Sequence, residues 1–318
     1  MKKARMLIVS TYNTQCGIAS FTSVLDSQLS NDVEISIAQL DQDILRRFPK
    51  SFGDNAIREI IQMSKSFDVV NIQLEWGILG STPAQITKRF KWLLEGCDNI
   101  ILTVHTPITT FSTKRLVSYL SKLRILAAIK LFVTSFYGMQ RLRIIKNAVK
   151  RLNDRFHIVV HTKRERKFFE SLHGLKNVHD HPLSHLQTDW LARLTTDGVK
   201  YRRSLKERFG EDAKIVACFG FISPYKGLET AISAMELLPE NYKLLIYGSI
   251  HPEAIQSGVN IDTYLARLLK KLGYRVQEPV DRKYFPITAK KESQENKILS
   301  KINNVFFMGS PHGNLRQK

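Results

Sequence analysis

The chain has 318 residues, 43% of them hydrophobic and 24% charged, with a formal net charge of +19. This composition excludes a disordered chain, a collagen-like repeat and a disulfide scaffold, and the length accommodates two hydrophobic cores. The charge implies attraction to anions and leaves nucleic acid, an anionic bilayer and a phosphorylated substrate all open. Cys16, Cys97 and Cys218 lie far apart with no paired spacing, which argues against a zinc knuckle and fits a reducing cytosol. Only four apolar residues, Met6 to Val9, precede Ser10, too few for the core of a signal peptide, so a cytoplasmic protein is expected.

Met6–Ser10 is a continuous apolar run suited to a parallel strand covered on both faces, and it leads into a polar turn containing Gly17. A helix from about Ile18 to Leu29 follows. Val33–Ala38, Asp68–Gln73, Asn99–Val104 and Phe156–Val160 read as further strands, with helices at Ile57–Ser66 and Thr162–Leu172. Strands alternating with helices predict a doubly wound α/β domain over residues 1–187. From 188 the sequence restarts with a basic helix, Thr188–Phe209, and strands at Lys214–Phe219, Lys243–Ser249 and Asn304–Gly309. Between the last two lie a predicted helix, Thr263–Leu272, and an irregular piece, Val280–Glu295. An open sheet of this class has about five or six strands, so the second domain, 188–318, reads as incomplete.

The run Ala217–Ile232 reads as strand, loop and helix, with Leu228, Ile232 and Met235 recurring at steps of three to four. Lys226 falls just before that helix, where unpaired N–H groups and the helix dipole favour anions, so a phosphorylated ligand is expected. In the first domain, polar residues follow three strands: Ser10–Gly17, Gln73–Gly77 and Thr103–Pro107. Ligands of open α/β sheets bind outside the carboxyl ends of the strands, so Gly17, Glu75 and His105 are expected to line one crevice, facing Lys226 across a domain gap. Two readings stand for each. His105 is a histidine hydrogen-bonded at a strand end or a donor to substrate; Glu75 caps a neighbouring helix or does chemistry; Gly17 supplies turn freedom or lets a ligand approach the backbone.

His173, His179, His181 and His185 invite a metal site, but no acidic or cysteine partner completes a ligand spacing. Nucleophile-elbow, Walker, zinc-protease and dinucleotide-binding glycine signatures are absent from the sequence. Between Lys114 and Arg155 lie eleven Lys or Arg residues and one acid, Asp154, interleaved with leucine, isoleucine and phenylalanine. Charges interrupt every apolar window before the length of a membrane span. The segment therefore reads either as an amphipathic region lying on an anionic membrane or as core-facing helices with a solvated basic face. No nucleic-acid motif accompanies the charge, so nucleic acid is not an expected partner.

Thr11–Thr22 with Cys16–Gly17–Ile18–Ala19, Gln73–Gly77, Thr103–Thr106 and Phe219–Gly227 together resemble, in this order, retaining glycosyltransferases of the GT-B fold. Gly248–Glu253 resembles a further segment of one branch, and Asp180–Leu183 sits where that family enters its interdomain linker. The resemblance implies two Rossmann-like domains facing a cleft. The C-terminal domain holds a nucleotide-diphosphate sugar and the N-terminal one a glycan or lipid-linked acceptor. Lys226 matches the lysine that neutralises the diphosphate, and Gly17 the glycine loop near the donor phosphates. Ser223, Gly227 and His251 fall in the matching donor motifs. His105 matches a histidine near the transferred sugar, and Glu75 lies in a matching motif. Such enzymes need no metal or other cofactor, because electrostatic stabilisation of the leaving diphosphate carries the reaction.

Phe221 stands where the family often has an arginine, and the family's later glutamate-pair motif would lie beyond Gly309, past Lys318, so the resemblance implies a C-terminally truncated member with an incomplete donor site. The implied function is transfer of a hexose to a cell-surface or lipid-linked glycan with retention, in the cytoplasm or peripherally on the inner face of the plasma membrane. The alternatives are a non-catalytic protein of the same architecture that binds membrane or glycan, and a sugar epimerase.

Overall fold

The computed structural model describes residues 3–14, 16–106, 108, 112–183, 188–223, 226–248, 274–275, 290–291 and 305–309. The chain divides into two units, Met1–Leu191 and Ala192–Lys318; the expected boundary at 187/188 falls at the start of a helix that crosses this division.

The first unit runs β1 (Ala4–Ser10), α1 (Gly17–Leu29), β2 (Val33–Gln39), α2 (Gln42–Arg46), α3 (Lys50–Ser64), β3 (Val69–Leu74), a 3-10 turn (Trp76–Leu79) and α4 (Pro83–Gly96). It continues with β4 (Ile100–Val104), α5 (Thr113–Ser121), α6 (Ile125–Leu152), β5 (Phe156–Val160), α7 (Lys163–Lys167) and β6 (Val178–Asp180). The six strands form one sheet in the order β2-β1-β3-β4-β5-β6, and every pairing is parallel. This is the doubly wound α/β sheet expected. Its strand order reverses between β1 and β3, the place where such sheets leave a crevice for ligands. The central strands are continuous apolar runs because helices cover both faces: Leu7, Ile8, Val9, Leu74, Ile100, Leu102 and Ile158 are inaccessible to solvent.

Three elements of this unit had no counterpart in the sequence reading: α2, α4 and β6. Helix α4 opens on a capping box, with Thr82 accepting from the Gln85 N–H and Pro83 in the first turn. It also carries the least expected core residue, Arg89, which is fully buried. The guanidinium donates to Asp54 Oδ1 at 2.9 Å and to the carbonyls of Leu45, Leu79 and Lys50 at 2.7, 2.9 and 3.2 Å. Lys88 takes the other Asp54 oxygen at 2.5 Å. Gly53 makes room, since a Cβ there would lie 2.4 Å from Arg89 Nη2. One cation thus ties α2, α3, α4 and the 3-10 turn together.

The predicted helix Thr162–Leu172 is α7 followed by a π turn over Phe168–Leu172. The basic segment is the α5–α6 hairpin. The second half of α6 joins the core through Leu142, Ile145, Ala148 and Leu152.

The second unit contains most of α8 (Thr188–Phe209), then β7 (Lys214–Phe219), α9 (Leu228–Met235), β8 (Tyr242–Tyr247), two-residue antiparallel strands β9 (Tyr274–Arg275) and β10 (Lys290–Lys291), and β11 (Val305–Gly309). Strands β11, β8 and β7 pair in parallel in that order. Ile222, Leu228, Ile232, Met235, Leu244 and Ile246 form its described core. Strand β7 lies at an edge of this sheet with Ile215, Val216 and Phe219 exposed, Phe219 at 76%. The predicted helix Thr263–Leu272 and most of the irregular piece 280–295 lie outside the described residues.

Candidate functional site

Strand β1 delivers the chain to Ser10 and Thr11, both buried, and α1 begins six residues later. The junction is fixed from below: Ser10 Oγ meets Thr22 Oγ1 at 2.6 Å, and Thr22 in turn donates to the Ile18 carbonyl at 2.9 Å. Cys16 is the N-cap, its Sγ accepting from the Ala19 N–H at 3.3 Å and lying 3.1 Å from Thr11 Oγ1. Gly17 is the first helical residue. It is not among the residues with positive φ, and a Cβ added there would meet nothing within 4 Å. Neither backbone conformation nor packing demands glycine at this position, which removes the turn-freedom reading and leaves a bare backbone at a helix N-terminus.

Helix α1 then lays Phe21 edge-on against two imidazoles, His105 at 5.1 Å and His161 at 5.7 Å between ring centres. His105 follows β4 and His161 follows β5. Asn71 donates to Thr103 Oγ1 at 3.3 Å and accepts from the Gln73 amide nitrogen, and Gln73 Oε1 lies 2.6 Å from His105 Nε2. His161 Nδ1 lies 3.1 Å from the His181 carbonyl oxygen. The two remaining nitrogens, His105 Nδ1 and His161 Nε2, face each other at 3.1 Å, so the two rings are held as a pair.

Both ring nitrogens of His105 are therefore engaged within the protein. The arrangement fixes the ring at the strand ends. The His161 signal was available in the sequence, because a histidine directly after an apolar strand is the pattern that singled out His105.

Glu75 lies at the end of β3. It precedes the 3-10 turn without capping it, contrary to the capping reading; instead its carboxylate accepts from Thr106 Oγ1, the residue after His105. Behind it Trp76 packs edge-on to Phe90, with the Arg141 guanidinium over its ring at 4.4 Å. Arg141 donates to Thr87 Oγ1 and the Pro83 carbonyl, and burial pulls its pKa down to about 10 despite the opposing effect of Tyr137. Gly17, Glu75 and His105 thus belong to one constellation at the carboxyl ends of β1, β3, β4 and β5. The Glu75 carboxylate, the histidine pair and the α1 N-terminus are its polar elements.

In the second unit, Lys226 stands two residues before α9. Its backbone N–H donates to the Ser223 carbonyl at 3.1 Å, and its side chain lies back over Gly220. A Cβ at Gly220 would sit 3.2 Å from Lys226 Cε and 3.3 Å from Nζ. Gly220 has φ +125°, and Gly227, the α9 N-cap, has φ +66°, so both conformations favour glycine for the loop itself. Gly248 packs on the same turn: a Cβ there would lie 1.9 Å from the Gly220 carbonyl oxygen. Ser223 is buried, and its hydroxyl is 3.5 Å from the Phe221 carbonyl. His251 lies outside the described residues.

His173 meets Phe168 edge-on, His179 pairs with His157 at 3.3 Å, and His181 lends its carbonyl to His161; His185 lies outside the described residues. Among the described residues no group of three His, Cys, Asp or Glu is placed to hold a metal ion.

Strand order and pairing define the class as a doubly wound α/β protein. No protein-family model matches the chain, and no curated protein matches it by sequence. Among solved structures, those of Anabaena Alr3699/HepE in complex with UDP and glucose, with UDP, and with UDP-glucose are similar at 11% identity, covering 96% of this chain and 69% of that one, with TM-scores of 0.49, 0.48 and 0.49. At that level the likeness adds nothing to the fold that the strand order already defines.

Proposed function

We propose that this chain is a GT-B-type glycosyltransferase that moves a hexose from a nucleotide-diphosphate sugar to a cell-surface or lipid-linked glycan with retention of configuration. The observation that supports it most is the clustering of Gly17, Glu75, His105 and His161 at the carboxyl ends of β1, β3, β4 and β5. In this reading the bond from the sugar C1 to the diphosphate breaks, the acceptor oxygen bonds to C1 from the same face, and its proton passes to the departing phosphate oxygen. Negative charge grows on that oxygen, and fixed positive groups aimed at it give the largest help such a step receives. Lys226 is the ammonium that the second unit offers; in the first, the bare backbone at Gly17 leaves a helix N-terminus open to an anion. His105, paired with His161, is the residue this reading assigns to the transferred sugar.

The test is calorimetric titration of the full chain with a panel of UDP-, GDP- and ADP-sugars, followed by donor hydrolysis and transfer assays. Lys226→Ala is expected to weaken donor binding by about tenfold or more, the loss of a charged contact worth about 1.5–3 kcal/mol. Failure of every nucleotide sugar to bind would overturn the reading. The engagement of both His105 nitrogens favours one alternative, a non-catalytic protein of the same architecture. It predicts donor binding without turnover.

A further inference from the structure

Helices α5 and α6 form a hairpin whose outer surface is apolar. Leu120, Leu126, Ile129, Phe132 and Phe136 are exposed, Leu126 at 83%, while the small residues Ala128, Ser135 and Gly138 are the buried ones of this half of α6. Isolated exposed leucines are ordinary, but a continuous stripe over two helices marks an interaction surface. The turn between the helices carries a second, independent sign. Arg124 N–H donates to the Tyr119 carbonyl at 2.8 Å and Leu123 N–H to the Leu120 carbonyl at 3.0 Å. These bonds form a Schellman motif, with Arg124 over the Tyr119 ring at 5.7 Å.

The residue that must be left-handed in this motif is Leu123, with φ +54°. Glycine or asparagine normally takes that place, because a Cβ makes the conformation unfavourable. Leucine also gains nothing from the fold here, since it is 84% exposed. The side chain is held at the tip against local preference.

Charge decides what it meets. Lys122 and Arg124 flank Leu123, Lys130 lies two turns along, and the sequence has no acidic residue between Asp98 and Asp154. A second copy seated on this face would bring those cations against their own symmetry mates with no carboxylate to offset them. A surface of anionic headgroups over hydrocarbon complements both features. No helix among the described residues is long and apolar enough to cross a membrane, so the contact is interfacial.

We infer that the α5–α6 hairpin docks on an anionic bilayer, with Leu123 and Leu126 below the headgroups and Lys122, Arg124 and Lys130 on the lipid phosphates. This deepens the lipid-linked acceptor of the reading above and rests on it for its purpose.

Cosedimentation of the full chain with vesicles of phosphatidylglycerol mixed with phosphatidylcholine, against phosphatidylcholine alone, tests it. Binding to the anionic vesicles is expected, falling as salt rises. Leu123→Asn should keep or raise the thermal midpoint, because asparagine suits the turn, yet lower vesicle affinity on the order of tenfold. Leu126→Ser should lower it likewise. Vesicle affinity unchanged in both variants overturns the inference. So does a wild-type chain that ignores anionic vesicles, or one that dimerises in light scattering and loses the dimer with Leu123→Asn. Donor titration separates the two claims: intact nucleotide-sugar binding without vesicle binding removes only the hairpin inference, and vesicle binding without any donor binding removes only the transferase reading.

Discussion

At the scale of single residues, Gly17 separates fold from function most cleanly. A methyl group there meets no protein atom, and alanine is a better helix former than glycine by about 0.5–1 kcal/mol. Gly17→Ala is therefore expected to leave the thermal midpoint unchanged or slightly raised while weakening nucleotide-sugar binding; unchanged binding would show that no ligand approaches this backbone. The site residues show what a sequence yields. His105, Glu75 and Gly17 were legible because each follows a recognisable apolar strand. The pairing of His105 with His161 was not, because it depends on β4 and β5 being neighbours in the sheet, 56 residues apart in the chain.

At the scale of elements, strands β5 and β7 and helix α8 were legible to their end residues, since their apolar runs or periodicity begin and end sharply. Strand β6 escaped because it is three residues long with only Val178 buried. Helix α4 escaped although Thr82-Pro83-x-Gln85 spells a helix start. Its buried Arg89 is a residue type read as a solvated face, and nothing local announces that Asp54 and three carbonyls await it. That cluster sets two expectations. Arg89→Met should destabilise the first unit by about 3–5 kcal/mol in urea unfolding, because it leaves Asp54 with only Lys88 and strips three carbonyls of their donor. Asp54 also links stability to pH. Burial alone would raise its carboxyl pKa, but the hydrogen bonds and charges of Lys88 and Arg89 outweigh that and hold it below the usual value. A carboxylate depressed on folding contributes stability above its unfolded pKa and loses it as pH falls through the folded one. The urea midpoint of the wild type should therefore fall towards acid more steeply than that of Asp54→Asn, whose parallel decline would remove Asp54 from the account.

At the scale of the molecule, each unit has its own core: the first surrounds six parallel strands, and the described core of the second is built on β8 and α9. Local stability follows buried apolar contact. Within the first unit, amides of β2, where only Ala38 is buried, should therefore exchange with deuterium faster than those of β1, β3 and β4, and uniform protection across these strands would refute this. The basic hairpin also has a consequence that concerns arrival more than residence. An acid-free run from 99 to 153 on a chain already at +19 gives the molecule an electrical polarity. A charged surface would turn it as it diffuses inward, before any atom touches. Salt should then slow the encounter before it shortens the stay, so stopped-flow association with anionic vesicles would register ionic strength mainly in the forward rate.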